Sequence, residues 1–593
     1  MKTVSDFFVE RLRTWGVDRI YGYPGDGING VVGAVARTNG AIDFVQVAHE
    51  ELASLMACAH AKFTGRIGVC LSTGGPGAIH LLNGLYDAKL DHQPVVAIIG
   101  QQAQEGIGGS TQQETDLFSA LKDVGSAYIA QIATPEQVRH VIDRAFRVAL
   151  GERTATVIIL PHDVQREEAV EAPPSEHGMQ HSTPGYVPPR LVPQETQLDE
   201  AATILNNAER VAMLVGAGAL GASDAVEQVA QRLGAGVAKA LLGKAVLPDD
   251  LPYVTGSVGW LGTTASAWMM ESCDTLLLVG TTMPYTEFLP KEGQARGVQI
   301  DIAPRNLGLR YPMDVMLAGD SRETLTALLP RLKARDRSEW TTKVTEKVKE
   351  WHEKAAAQAK APAKPLNPQL VVHEMSRVLP DRAIVTADSG SSAVWIARYF
   401  AIRRGMMMSV SGGLATMGCG IPYATAAKFA HPERVAVAVI GDGAMQMSGM
   451  SALIDVAKHF RAWTDPRLIV VVLNNRDLNY VTWEQRVMEG EPKFERSQSL
   501  PDLNYAEYAR LLGLEGVRID GPEQVAGAWT RALASDRPFV IDAVVDADVP
   551  TLPPKMTPEQ AAMLARALAK GDPDAAGVRE QLAAQKIEGS TTR

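Results

Sequence analysis

An aspartate held between two glycines, Asp442 in "RVAVAVIGDGAMQMSGM", follows an apolar run that reads as a buried strand and precedes the amphipathic segment "MSALIDVAKHF". Alone, Gly-Asp-Gly is ordinary turn chemistry. A second apolar run, "RLIVVVLNN", ends on Asn474 and Asn475, and Asn475 lies 33 residues beyond Asp442, about the length of a strand–helix–strand unit. If the two strands are neighbours, the right-handed crossover sets both carboxyl ends side by side. A carboxylate and an amide oxygen then face one another, hard oxygen ligands of the kind Mg²⁺ takes while water and phosphate complete its shell. The glycines let a phosphate approach, and the N–H groups at the start of the next helix can meet it. The spacing predicts an Mg²⁺-diphosphate site.

A second candidate lies near the other end of the chain. "FVQVAHEELASLMACAHAKFTG" passes from strand to helix with Glu50 and Glu51 at the junction. Acidic residues in a first helical turn compensate the helix dipole, and most such glutamates do no more than that. Here, however, "GYPGDGING" and "LSTGGPGAIHLLNGL" each follow an apolar strand and supply the glycines and proline of a close-fitting pocket wall. A glycine-rich wall, a carboxylate and a distant Mg²⁺-diphosphate site imply one cofactor bridging two domains.

The elements that must position these groups can be read from the same chain. Its 593 residues, 46% hydrophobic and 21% charged, are ordinary globular material for several domains. Short β-branched runs alternate with helix-period segments throughout, such as "VVAIIG" and "ATVIILP", then "VAMLVG" and "DTLLLVG", then "RAIVTAD" and "RVAVAVIG". Runs apolar on both faces and separated by helices predict an α/β fold of three doubly wound parallel-sheet domains. Proline-rich or solvated stretches divide them, giving domains at 1–172, 195–335 and 369–548, linkers at 173–194 and 336–368, and a helical tail at 549–593. The tail is expected to pack across the body of the protein, with peripheral membrane contact as its alternative.

A formal net charge of −10, with no stripe of basic and aromatic residues, argues against nucleic acid. Four scattered cysteines form no CxxC pair and no disulfide framework, so a reduced, cytoplasmic chain is expected. No apolar run reaches the length of a membrane span.

"HEE", "GPG", "GDG" and "LNN" in this order, with a proline-rich linker and a middle α/β domain, resemble the thiamine-diphosphate-dependent 2-oxo-acid enzymes. Within that superfamily the chain is most similar to pyruvate oxidase and pyruvate:quinone oxidoreductase, with acetolactate synthase more distant. The resemblance implies thiamine diphosphate, Mg²⁺ and FAD as cofactors and a small 2-oxo acid as substrate. It also implies quinone or oxygen as electron acceptor, a homodimer as the least active unit, and a homotetramer as the usual one.

Residue by residue, the resemblance implies that Glu50 hydrogen-bonds the pyrimidine N1′, with Pro24, Gly25 and Asn83 along the pyrimidine side. Met417, in "GGLATMGCGIP", matches the residue that keeps the cofactor bent, and the Ala415 carbonyl and Thr416 lie beside it. Asp442, Asn475 and the Asp477 backbone carbonyl match the metal ligands, with Gly441, Gly443 and Ala444 around the diphosphate. FAD would be held by Gly259 and Gly262 of "GWLG", by Gly280, Thr281 and Pro284 of "GTTMP", and by Asp301. Gly216, Gly218 and Gly221 form a GxGxxG after a strand, but no acidic residue follows about 20 positions on, against NAD binding. Two departures bear on the substrate. "STQQET" places Gln112 where flavin-dependent relatives carry an aromatic ring, ahead of Gln113 and Glu114, and "RDLNYVTWE" places Tyr480 and Glu484 toward the substrate. Such a pocket suits a larger or hydroxylated 2-oxo acid, or an aldehyde acceptor. The 33-residue step also exceeds the family's usual interval, with "HFRAWTDPR" as the inserted material, expected to be a surface loop.

Overall fold

The computed structural model describes residues 1–334 and 337–585, so the predicted boundary at 335–336 and the last residues of the tail lie outside the described residues. The first sheet contains β1 (Arg19–Gly22), β2 (Asp43–Gln46), β3 (Gly68–Ser72), β4 (Val95–Gln101), β5 (Ile129–Gln131) and β6 (Ala155–Pro161), in the order β2-β1-β3-β4-β6-β5. The second contains β7 (Val211–Val215), β8 (Gly236–Lys239), β9 (Val254–Ser257), β10 (Thr275–Val279), β11 (Arg296–Asp301) and β12 (Val315–Ala318), in the order β12-β11-β10-β7-β8-β9. The third contains β13 (Ile384–Ala387), β14 (Met407–Ser409), β15 (Ala436–Gly441), β16 (Leu468–Asn474), β17 (Glu515–Ile519) and β18 (Phe539–Val544), in the order β14-β13-β15-β16-β18-β17. Neighbouring strands are parallel in each sheet, as the apolar runs predict. Strands β4, β6, β7, β10 and β16 are buried along their whole length because helices cover both faces.

The first and third sheets share one topology. The middle sheet instead has the dinucleotide-fold order, reversing between β7 and β10. At that reversal Gly216 and Gly218 of the GxGxxG serve close packing: Gly218 N–H donates to the Gly280 carbonyl at 3.0 Å, and a Cβ on Gly218 would lie 2.8 Å from Gly280 Cα. The end of β8, where a dinucleotide fold places its ribose-binding acid, carries Lys239.

Buried ion pairs tie the domains together. Lys62 Nζ donates to Asp91 Oδ2 at 2.6 Å, to the Val410 carbonyl and to Tyr423 OH, while Asp91 accepts from the Gly412 and Gly413 N–H groups. Between the second and third domains, Lys239 and Lys244 share Asp249, which also accepts from Ile402 N–H. Charges this deep persist only because every partner is in place. The helix Ser338–Ala359, which the composition suggests is solvated, buries Trp340, Val344, Val348, Trp351, Ala355 and Ala359 at helical spacing. The inserted "HFRAWTDPR" forms a short 3₁₀ turn, Phe460–Ala462, and buries Trp463 edge-on against Phe429, 5.9 Å away. It is a packed corner more than a free loop. The tail forms helices Pro558–Ala569 and Ala575–Ala584. Their Leu564, Leu568, Val578 and Leu582 pack on Trp483 and Val487.

Asp455, on the helix Met450–His459, is buried and its Oδ2 has no hydrogen-bond partner among the described residues. Burial pushes its pKa up to about 7 against an ordinary 3.8. The folded state therefore binds more protons than the unfolded chain between those values, and stability falls as pH rises through that window. Asp455→Asn should remove on the order of 2–4 kcal/mol of this fall. Thermal unfolding at pH 4 and pH 8 checks it: the variant gains on the wild type at pH 8, and parallel pH profiles would refute the assignment.

Candidate active site

Strands β15 and β16 pair in register from Ala436↔Leu468 to Gly441↔Leu473, which brings Asp442 level with the two asparagines. These asparagines part. Asn474 turns into the domain, its Nδ2 donating to Asp542 Oδ1 at 3.0 Å and to the Leu503 carbonyl. Asn475 stays at the strand end, where its Oδ1 accepts from Asp477 N–H at 3.1 Å. Asp442 is 2% exposed, and its carboxylate accepts from the Arg476 N–H at 2.5 Å and the Gly443 N–H at 3.0 Å. Arg476 reaches it from the left-handed region, at φ 58°, a conformation that costs free energy outside glycine.

Burial pushes the Asp442 pKa up to about 7, and the nearby Asp477 charge adds to the effect, in spite of the two N–H bonds. A buried carboxylate with so little compensation fits a divalent cation, and the neighbouring Asn475 amide supplies a second hard oxygen. A Cβ on Gly441 would meet nothing within 4 Å, so the open side needed by a phosphate is present. The Asp477 carboxylate is occupied elsewhere, accepting from Thr482 Oγ1 and pairing with Lys493, which leaves the backbone as the part of Asp477 able to face the cation. The segment after Asp442 continues as a π-helical turn, Met445–Gly449, and a second, Gln485–Glu489, follows the helix Asn479–Glu484. Such turns are common beside functional sites.

Gly443 lies between the other two arms of this site: a Cβ there would be 2.8 Å from Leu478 Cδ2 and 3.1 Å from Met417 Cε. Met417 therefore stands over the Gly441–Gly443 turn. The segment before it starts from Ala415 in the left-handed region, at φ 54°. Asp388, immediately after β13 and fully buried, pins the turn beyond Met417: its carboxylate accepts from the N–H groups of Ser389, Gly418 and Gly420 at 2.8–2.9 Å. Ser389 Oγ donates to the Thr416 carbonyl, and Thr416 N–H donates to Ser411 Oγ.

In the first domain Glu50 opens the helix Glu50–Thr64, capped by His49. Glu50 Oε2 lies 2.9 Å from His80 Nδ1, and the His49 and His80 rings are 4.4 Å apart. A Cβ on Gly77 would be 3.3 Å from Glu50 Oε1, so the GPG loop borders the carboxylate. Gly25 is similarly required, since a Cβ would lie 2.6 Å from Thr73. Beside these loops Asp26, Thr73, Gln101, Gln102, Gln112 and Gln113 line a cavity of about 200 Å³. Polar side chains dominate its lining, and Gln102 Oε1 has no partner among the described residues. Glu114 bonds the Gly108 and Thr111 N–H groups and so shapes the loop itself. Asn83 spans two domains, its Nδ2 donating to Glu51 Oε1 at 2.6 Å and to Thr416 Oγ1 at 2.8 Å.

Tyr480 and Glu484 share one face of the helix Asn479–Glu484, both half-buried, with burial raising the pKa of each and pushing Tyr480 up to about 12. In the middle domain Gly259, at φ 94°, packs beneath Met283 and near Tyr285, while Trp260 meets Phe288 edge-on at 6.2 Å. Thr281 is buried, its Oγ1 accepting from Met283 N–H, and Pro284 is exposed. Gly280 N–H donates to the Ile300 carbonyl, next to Asp301, whose Oδ1 accepts from Ala303 N–H at 2.8 Å. All these positions gather at the carboxyl edge of the middle sheet. Arg398 joins that edge to the third domain by donating to the Trp260 and Gly262 carbonyls.

Models of three thiamine pyrophosphate enzyme domains match the chain: the N-terminal TPP binding domain at residues 2–120, the central domain at 198–328 and the C-terminal TPP binding domain at 388–543. The chain belongs to the thiamine pyrophosphate enzyme family. It is 35% identical over 560 residues to the putative thiamine pyrophosphate-containing protein YdaP of Bacillus subtilis, covering 94% of each chain. It is 29% identical to pyruvate oxidase of Lactiplantibacillus plantarum, over 91% of this chain and 88% of that one. A probable acetolactate synthase large subunit of Methanocaldococcus jannaschii is also 29% identical, over 93% of both chains.

The fold of this family thus gathers Met417, Gly443, Asp442 and the loop after Asn475 at one place, and Glu50, Gly77 and His80 at another. Among the described residues no hydrogen bond, ion pair or ring contact joins Glu50 to Asp442, Asn475 or Met417. Sequence reasoning missed His80 and Asp388. The first was visible as the histidine following GPG, and the second as the last residue of "RAIVTAD". Asp388→Ala should remove a buried acceptor of three N–H groups and lower stability by roughly 3 kcal/mol. Urea denaturation measures this, and a change within experimental error would show that the Met417 loop holds itself.

Proposed function

We propose that the protein decarboxylates pyruvate or a related 2-oxo acid with thiamine diphosphate and Mg²⁺, and passes the electrons released through FAD to quinone or oxygen. The observation that carries this reading is the arrangement of the middle domain: Gly259, Gly262, Gly280, Thr281, Pro284 and Asp301 share one sheet edge that Arg398 fastens to the domain of Asp442. The likeness to a pyruvate oxidase over most of both chains supports it. Carboligation of the acetolactate synthase type, with FAD structural or absent, is the alternative. The polar cavity at Gln112 and Gln113 favours it, since a hydroxylated 2-oxo acid or an aldehyde acceptor would find hydrogen-bond partners there.

When bound, thiamine diphosphate supplies the electron sink for decarboxylation. Asp442, Asn475 and the Asp477 carbonyl would hold the cation, and Gly441, Gly443 and Ala444 would line the diphosphate. Met417, the Ala415 carbonyl and Thr416 would shape the space above it. Glu50 would hold the proton at the pyrimidine N1′, with His80 sharing its Oε2 and Pro24, Gly25 and Asn83 alongside. Gln113 and Glu484 would face the substrate, with Tyr480 beside them. By the likeness to the family, a second copy would complete each site, making a homodimer the least active unit and a homotetramer the usual one. A reduced, cytoplasmic setting agrees with four buried free thiols. No helix among the described residues is long and apolar enough to cross a membrane.

The visible spectrum of the purified protein, taken before and after anaerobic addition of pyruvate, tests the proposal. A yellow protein that bleaches is expected. A colourless protein that forms acetolactate or acetoin would replace the oxidative reading with carboligation.

A further inference from the structure

The tail meets the third domain at one buried cluster of charges. Arg486, on the second π-helical turn and 1% exposed, forks onto Asp572 with two bonds of 2.8 Å and reaches Asp574 Oδ2 at 2.9 Å. Lys493 Nζ lies between the tail and the cofactor loop, 3.4 Å from Asp574 Oδ2 and 3.2 Å from Asp477 Oδ1, while its N–H donates to Asp572. Asp477 N–H in turn bonds Asn475 Oδ1. An unbroken series of contacts therefore runs Asn475, Asp477, Lys493, Asp574, Arg486, Asp572. Around it, the Arg486 guanidinium stands 5.2 Å from the Trp483 ring centroid, and Trp483 and Val487 lie under Leu564, Leu568, Val578 and Leu582 of the tail.

The arithmetic of charge explains why this matters to the site. Arg486 and Lys493 are buried cations whose carboxylate partners are Asp572 and Asp574 of the tail and Asp477 of the loop. Without the tail, Arg486 loses both ion-pair partners and Lys493 keeps only Asp477, and Asp548 of the third domain is the remaining carboxylate whose charge both cations feel. Buried cations left in this way move toward water or toward another carboxylate such as Asp548, and the hold of Lys493 on Asp477 changes with them.

We propose that the tail is part of the scaffold of the cofactor site: its Asp572–Asp574 turn, through Arg486 and Lys493, fixes the loop Asn475–Leu478. Lys493 and Arg486 are then positioning residues for the divalent cation held by Asp442 and Asn475. This rests on the thiamine diphosphate reading above, and on the contacts just given. It assigns the tail a role distinct from membrane contact. The substitution of outer partners of a metal site commonly costs 10–100-fold in metal affinity, which sets the expected size of the effect.

The test is a titration of the full-length protein with Mg²⁺ at saturating thiamine diphosphate, followed by tryptophan fluorescence and by calorimetry. Lys493→Met and Asp574→Asn should each raise the half-saturating Mg²⁺ concentration about tenfold or more. The double variant should lose no more than the worse single one, because both act through one contact. Lys493→Arg should restore most of the affinity. Lys555→Ala, which removes an exposed tail contact with Glu271, should leave the titration unchanged. Variants that melt earlier yet bind Mg²⁺ as the wild type does would overturn the proposal alone. A wild type that binds no thiamine diphosphate at any Mg²⁺ concentration would overturn the cofactor reading and this proposal with it.

Discussion

One buried negative charge organises the third domain. Asp442 follows the carboxyl end of β15, its carboxylate accepting from the Gly443 and Arg476 N–H groups, and burial makes its ionised form unfavourable. Much of the nearby structure keeps that charge where it is. The parallel register with β16 delivers Asn475 beside it, the left-handed Arg476 turns a backbone N–H toward it, and Gly443 lets Leu478 and Met417 close in. Asp388 repeats the device one strand away. A fully buried carboxylate there is spent on holding the N–H groups of the Met417 loop.

Two sheets of one topology and a third of another divide the labour of the family. The first domain presents Glu50 at a helix N-terminus against a glycine wall, the third presents Asp442 and Asn475 at adjoining strand ends, and the middle domain offers a sheet edge with glycines and aromatic rings. Polar knots, Lys62–Asp91 and Lys239–Asp249–Lys244, hold these bodies in one arrangement. Hydrophobic area alone would not fix their orientation, because apolar contact is non-directional, whereas each buried lysine must find its partners.

Much of this is legible in the sequence, for physical reasons. Strands buried on both faces leave unbroken apolar runs, and the end of such a run is where an α/β fold keeps its chemistry, so Asp442 and the two asparagines stand out. Spacing alone does not separate Asn474 from Asn475; the interior bond to Asp542 does. His80 and Asp388 escape a reading of the sequence because their roles depend on which loops fold against them, a relation of space that leaves no period in the chain. The helix Ser338–Ala359 looks solvated because its charged residues outnumber its buried apolar ones, yet six residues at helical intervals suffice to bury a stripe. In the middle domain the strand order fits a dinucleotide fold, but Gly216 and Gly218 of the GxGxxG pack on Gly280 and Lys239 stands at the end of β8.

The central claim is that Asp442 holds a cation through which thiamine diphosphate binds. Calorimetric titration of thiamine diphosphate into wild type and Asp442→Ala, each with Mg²⁺ and with chelator, measures it directly. Binding to the wild type should require Mg²⁺, and the substitution should weaken it by about a hundredfold or more. Equal affinity in the variant, or binding by the wild type that persists undiminished in chelator, would contradict the account.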